Sequence, residues 1–284
     1  MSFSSSGANG EPMQKQTSTV KESVINVFDD IAEQRSWEQL YSGKLDRVNY
    51  NFKSRQRAVD ELLNPYAAGN VLDIGCGSGD LCPFYMEKGA RYLGLDLSQK
   101  MIERANANYS SHVERGKARF QVADCESLPY GTGEADVVSA VALIEYLPDP
   151  SRALDEIARV TKNGGYALVT VPYKYCINTL FRLALKPIIA LIMPIYKLIN
   201  KRSMTVMSAV KHHSYGSSRL DKIMSERKFE KVASRYTNFH VIPHPLDHIV
   251  PSLYIKLSEI FDRSGKGNYF KFWASNYIAL YRKS

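Results

Sequence analysis

Between residues 70 and 171 five short apolar runs are interleaved with helical stretches, and this alternation constrains the fold more than any other feature. The apolar runs are Val71–Ile74, Tyr92–Leu95, Arg119–Val122, Asp136–Val141 and Tyr166–Val171. The helical stretches run from Asp80 to Lys88, from the Ser98 cap through Tyr109, and from Pro150-Ser151 through Val160, where Asn163-Gly164-Gly165 is expected to close the last one. Repeated strand–helix units of this length predict a parallel sheet covered by helices on both faces. The pattern pauses after residue 173 and resumes with a helix at Ser217–Arg227, a strand at Phe229–Tyr236 and a last strand within Tyr269–Tyr281. Ahead of it, residues 20–64 read as helical, with Val24, Val27, Phe28 and Ile31, then Val59, Leu62 and Leu63, at helical spacing. Residues 1–19, rich in Ser, Gly, Gln and Asn, are expected to form a disordered lead-in. They lack the apolar stretch of a signal peptide, and four cysteines without a CxxC pair are expected to be reduced thiols of a cytoplasmic protein, with membrane association open.

The turn after the first strand reads Gly75-Cys76-Gly77-Ser78-Gly79. Glycines at a strand-to-helix turn let backbone approach a ligand and accept positive φ, but such turns are common. Three acids narrow the ligand. Asp96 ends the second strand, 21 residues past Gly75, where a carboxylate can accept both hydroxyls of a ribose. Asp124 follows the third strand, where it can accept an adenine amine. Asp73, just before the loop, would repel a phosphate, which argues against NAD and suits adenosylmethionine, a nucleoside carrying an ammonium and a sulfonium.

Taken in order, VLDIGCGSGD, LGLDLSQKMIERA, ADCESLPY, IEYLPDP and GGYALVTVP resemble the motif series of the class I S-adenosylmethionine-dependent methyltransferases, over residues 70–172. The resemblance implies an α/β Rossmann-like fold: a seven-stranded, mostly parallel sheet whose last strand is reversed. By position it implies cofactor contacts at Asp73, Gly75, Gly77, Asp96, Leu97, Met101, Asp124, Cys125 and Val141. Asp73 and the glycine loop would hold the methionine part, Leu97 and Met101 would pack on adenine, and Cys125 would donate its backbone amide. The front segment, VFDDIAEQRSWEQLYSG, resembles the N-terminal lid of the small-molecule subgroup containing ubiquinone-type and magnesium-protoporphyrin methyltransferases. This makes residues 20–64 a helical lid, with Tyr41, Tyr50 and Arg55 as candidates to close over the ligands. The methyltransferase domain then occupies 65–284, with an apolar helical insertion after strand 5, at 174–215, as a substrate cap.

Charge is unevenly divided along the chain. Residues 174–284 hold 19 Lys and Arg against 6 Asp and Glu, a net of +13, and residues 1–173 hold 18 against 23, a net of −5. A basic half fits an anionic substrate, an anionic membrane surface or nucleic acid. The segment 176–202 is apolar, yet its longest uncharged run is ten residues and contains two prolines, too short and broken to span a bilayer. It reads either as the cap of a lipophilic acceptor pocket or as an interfacial element lying on a membrane with Arg182, Lys186, Lys197, Lys201 and Arg202 toward head groups. Both readings favour a small lipophilic acceptor, such as an isoprenoid, quinone precursor, tetrapyrrole or lipid, methylated on oxygen or carbon. A nucleic-acid methyltransferase using the basic half is the alternative. It is disfavoured because no NPPY or DPPY run follows strand 4. A catalytically silent cofactor-binding module is a third reading, opposed by the intact acids and glycines. Candidate catalytic residues are Glu145 and Tyr146 beside strand 4, and His212 and His213 where the pattern resumes. No metal is expected: His244 and His248 flank Asp247, but Pro245 breaks helical ligand spacing, and the four cysteines form no CxxC pair.

Overall fold

A computed structural model describes residues 13–33, 47–184, 186–187, 212–242, 250–264 and 269–284. Tyr41, His244, His248 and most of the apolar insertion lie outside these residues.

The element order is α1 (Met13–Glu33), α2 (Arg47–Leu63), β1 (Asn70–Ile74), α3 (Cys82–Glu87), β2 (Arg91–Asp96), α4 (Gln99–Asn108), α5 (Ser110–Glu114), β3 (Ala118–Val122), β4 (Ala135–Ala140), a 3-10 turn (Ile144–Tyr146), α6 (Ser151–Val160), β5 (Thr161–Pro172), α7 (Ile177–Ala184), α8 (Ser217–Ser225), β6 (Phe229–Phe239), α9 (Pro251–Arg263) and β7 (Ala274–Lys283). The seven strands form one sheet in the order β3-β2-β1-β4-β5-β7-β6. β7 is antiparallel to both its neighbours, and the strand pairs from β3 through β5 are parallel. This is the expected Rossmann-like sheet with its reversed last strand.

The strands are apolar on both faces because both faces are covered. Val71, Tyr92, Val137, Leu168, Ile278 and Leu280 point to one side, under Val59, Leu62 and Leu63 of α2, Tyr85 of α3 and Ile102 of α4. Leu72, Val138, Ala167, Val169, Ala279 and Tyr281 point to the other, under Leu154 and Ile157 of α6 and Leu220 and Met224 of α8. Period-two alternation therefore assigns neighbouring residues of one strand to two different cores.

Several expected boundaries move. α1 begins at Met13, inside the stretch expected to be a lead-in. The Asn163-Gly164-Gly165 run lies within β5, where Gly164 sits at φ +78° and lets the strand bend as it joins the sheet. The last strand starts at Ala274, after a 3-10 turn at Lys271–Trp273. α9 adds a helix to the expected pattern, and Pro251 at its first position with Tyr254, Ile255, Ser258 and Phe261 at helical spacing mark it.

Candidate functional site

The chain passes from β1 outward to β2 and β3, then returns past β1 to β4 and β5. Parallel sheets leave a crevice at such a reversal, outside the carboxyl ends of the strands, so the site lies beyond Ile74 and Ala140.

The glycine loop forms the first wall. Gly75, Gly77 and Gly79 have φ of +73°, +53° and +87°, a region costly to residues with a Cβ. Gly75 and Cys76 donate their amides to Leu95 O at 2.7 and 3.0 Å, which pins the loop to β2. A Cβ on Gly79 would stand 2.8 Å from Tyr109 Cε2 and 2.9 Å from Phe120 Cε1. Gly79→Ala therefore meets both strain and a buried contact, and should cost about 1–3 kcal/mol of stability; a thermal or denaturant melt measures it, and an unchanged midpoint would show that the loop tolerates another backbone path.

Asp96 joins this loop to the next. Its carboxylate accepts from Gly77 N at 2.9 Å and from Ser98 N at 2.9 Å. Burial raises its pKa, while the amides of Ser98, Gly77 and Leu97 pull the other way. Ser98 also caps α4, accepting from Met101 N at 3.0 Å.

Asp73 does something different from what the sequence suggested. Its side chain lies on the α3 side of the sheet, 2 % exposed, and accepts from Tyr92 Oη at 2.7 Å and Ser139 Oγ at 2.6 Å. Burial pushes its pKa up to about 6 against those two hydrogen bonds. Asp73 thus braces the end of β1 from β2 and β4.

The second wall is the N-terminal segment. α1 packs along α4, with Asp29 accepting from Ser98 Oγ at 2.5 Å, Glu33 paired with Lys100, and Arg104 donating to Ala32 O at 2.7 Å. Lys21 reaches Asp124 at 2.6 Å and Glu126 at 2.5 Å. Burial opposes the Lys21 charge, but the two carboxylates prevail and its pKa rises. Asp124, expected to take an adenine amine, is therefore already bonded to an amine of this chain. Met101 is fully enclosed by Ile31, Ala32 and Phe52, while Leu97, Cys125 and Val141 are half-buried. Burial lifts the Cys125 thiol to about 12, so only its backbone offers useful chemistry near neutral pH. Lys21, Phe28 and Asp29 join the site beyond the residues expected from sequence; Phe28 and Asp29 lie within the VFDDIAEQRSW run that carries the lid resemblance.

The third wall begins where β4 ends. Ala142 holds φ +53°, with its amide bonded to Thr170 Oγ1 at 2.8 Å; a non-glycine residue in that region is strain concentrated at a site. The 3-10 turn that follows buries Glu145 and Tyr146. Tyr146 meets Phe28 of α1 edge-on at 5.3 Å and His212 at 4.8 Å. His213 N donates to Glu145 O at 2.8 Å. The lid, the strand-4 turn and the chain returning from the insertion therefore meet at Tyr146. Burial pushes the Glu145 carboxyl up to about 7, with the positive charge of Arg55 opposing the shift.

The lid candidates separate. Arg55 is buried, its guanidinium 5.0 Å from the centre of the Phe52 ring. Tyr50 turns away from the crevice, donates to Asp262 and packs on Tyr254 and Ile255 of α9; it anchors α2, because an apolar pocket with a carboxylate at its end suits a phenol. His240 is buried with Tyr254 and Asn238. Among the described residues no cluster of His, Cys, Asp and Glu could hold a metal.

The residues of the loop fit a cationic nucleoside: the Asp96 carboxylate against it, glycines along it, and no lysine or arginine within it. Comparison with known proteins agrees. Residues 72–169 match the family described as methyltransferase domain. The chain is 32% identical over 146 residues to the 27-O-demethylrifamycin SV methyltransferase of Amycolatopsis mediterranei, covering 49% of this chain and 53% of that one. It is 30% identical over 123 residues to the ubiquinone biosynthesis O-methyltransferase of Nitrosomonas europaea, covering 42% and 47%. The chain thus spans about half the length of the curated relatives it matches. In fold it resembles the magnesium protoporphyrin IX methyltransferase of Synechocystis, solved with bound SAH: TM-score 0.62, 18% identity, 93% of this chain and 100% of that one.

Proposed function

With the chain standing among the class I S-adenosylmethionine-dependent methyltransferases, we propose that it binds S-adenosylmethionine at the glycine-loop wall and methylates a small lipophilic acceptor at the Tyr146 wall. The observation that carries this reading is the division of one crevice: Asp96 links two cofactor-type loops on one side, and Glu145, Tyr146 and His212 gather on the other.

S-adenosylmethionine supplies a methyl group on a cationic sulfur. The protein's work is alignment and exclusion of water. Asp96 accepts the ribose hydroxyls while its two backbone donors keep the carboxylate oriented. Gly75 and Gly77 let the methionine part lie against backbone. Asp73 holds β1 in place from behind. Lys21, Asp29 and Phe28 seat α1 over the crevice and keep it dry. Tyr146, His212 and His213 flank the acceptor. The insertion at 174–215 supplies either a pocket cap or a membrane-facing element, and no helix among the described residues is long and apolar enough to cross a membrane.

A radiolabelled methyl-transfer screen over quinone precursors, prenyl diphosphates, porphyrins and phospholipids, with RNA as the competing class, tests the reading. Label is expected in an organic-soluble product of low mass. Incorporation confined to RNA, falling steeply with salt, would replace this reading with the nucleic-acid one.

A further inference from the structure

The chain joins β3 to β4 without a helix, residues 123–134 crossing as a loop. That loop runs on the α6 side of the sheet, where its Leu128 and Tyr130 pack against the core. Parallel strands are ordinarily covered on both faces. Here the face without a helix holds a cavity of about 260 Å³ over the first residues of β1, β2 and β3. Strands of five or six residues, at about 3.3 Å each, put it roughly 15–20 Å from the crevice, at the opposite end of the sheet.

Register and period two decide what lines it. Leu72 of β1 pairs with Leu93 of β2, and Leu93 pairs with Arg119 of β3, so the three lie abreast across the sheet. Ala118 and Phe120 point into the core under α2 and α3, which turns Arg119 to the other face. Tyr92 points the same way as they do, which turns Arg91 and Leu93 to the face of Arg119. Tyr92 N donates to Lys117 O at 3.0 Å, holding Lys117 against the start of β2. The cavity therefore has an apolar floor, with Leu72, Leu93 and Val160, and a cationic rim of Arg91, Lys117 and Arg119. All three cations are exposed, and among the described residues none of them is in a salt bridge. The one acid on the rim, Glu134, lies back over Gly131, where a Cβ would meet its carboxylate.

We propose that this cavity is a second small-molecule site, separate from the crevice, and that its ligand is a small carboxylate with an apolar body. A guanidinium fork pairs with a carboxylate through two parallel hydrogen bonds. Arg119, abreast of Leu93, is placed to make that pair with a ligand whose body lies on Leu72, Leu93 and Val160. A cavity of about 150 Å³ holds one benzene ring, so this one has room for two fused rings. Inorganic phosphate would use the rim and leave the floor wet. An amine would be repelled by the three cations, and a neutral ligand would leave them unused.

The test titrates the full chain calorimetrically with 2-naphthoate, 2-naphthalenemethanol and 2-naphthylmethylammonium. 2-Naphthoate should bind about tenfold or more tightly than the alcohol, as one charge-assisted hydrogen bond allows, and the ammonium should bind more weakly than either. Arg119→Gln should weaken 2-naphthoate by about tenfold, to the level of the alcohol, and Arg119→Lys should restore part of the difference. Leu93→Trp, which fills the floor, should abolish 2-naphthoate binding. A thermal melt reports folding for each variant; should Leu93→Trp melt early, the exposed Arg119 decides the matter alone. Absence of 2-naphthoate binding, equal affinity for acid and alcohol, or binding that survives Arg119→Gln unchanged overturns the proposal. The last of these is also the result that 2-naphthoate seated in the crevice would give.

Discussion

Replacing Asp96 with alanine should weaken S-adenosylhomocysteine binding by roughly a hundredfold or more. The proposed contact is one carboxylate accepting two ribose hydroxyls, and each charge-assisted hydrogen bond is worth about 1.5–3 kcal/mol, so two of them exceed the roughly 2.7 kcal/mol of a hundredfold change. The substitution also frees Gly77 N and Ser98 N, which now donate to that carboxylate at 2.9 Å each, so the two loops lose their common anchor. Asp96→Asn separates the effects, since its oxygen can still accept from one amide while the charge is gone. Calorimetry on both variants, with a melt of each, decides the matter. An alanine variant that melts early yet binds with unchanged affinity would make Asp96 a loop staple and move the ribose elsewhere.

Asp73→Asn should stabilise the protein above pH 6 and leave it nearly unchanged at pH 4. The folded chain holds the Asp73 carboxyl at a pKa of about 6 instead of 3.8, because the side chain is buried and its two hydrogen bonds offset only part of the cost. A raised carboxyl pKa means that the folded state binds the proton more tightly than the unfolded one. Stability is then highest below 3.8, falls as pH rises between 3.8 and about 6, and stays lowered above. The wild-type penalty at neutral pH is about 3 kcal/mol. The asparagine keeps an oxygen to accept from Ser139 and presents an amide that can donate to the Tyr92 hydroxyl. Asp60, held near 6, and Glu145, near 7, slope the same way, so the difference between wild type and variant isolates Asp73. Urea melts at about pH 4, 5, 6 and 7.5 should diverge steadily; parallel curves would mean that the carboxyl ionises normally.

The sheet was legible in sequence because its central strands are buried on both faces, and β1, β2 and β5 end at Gly75, Asp96 and Pro172. Val71–Ile74 and Arg119–Val122 came within one residue of β1 and β3. Asp96 was legible because a strand end and a fixed distance from the loop place it. For Asp73 the position before the loop is fixed by sequence, but its direction depends on the pleat, which turns it toward Tyr92 and Ser139. Tyr50 and Arg55 show the same limit. They lie five residues apart on α2, which puts them on different sides of a helix, and the packing of α9 takes up the Tyr50 side. Lys21 on Asp124 joins residues 103 apart in sequence, a distance no local pattern reports.

Pro172, Tyr173 and Tyr215 have a consequence for how such a chain can change over time. Tyr215 N donates to Pro172 O at 2.9 Å and Lys174 N donates to Tyr215 O at 3.0 Å, so the insertion leaves and re-enters the sheet at a single point. A loop with its ends tied together can lengthen at small entropic cost, about 0.6 kcal/mol per doubling. The segment between them is therefore an interchangeable cassette. Its length and composition can drift toward new acceptors while β5, the crevice and the glycine loop keep their geometry.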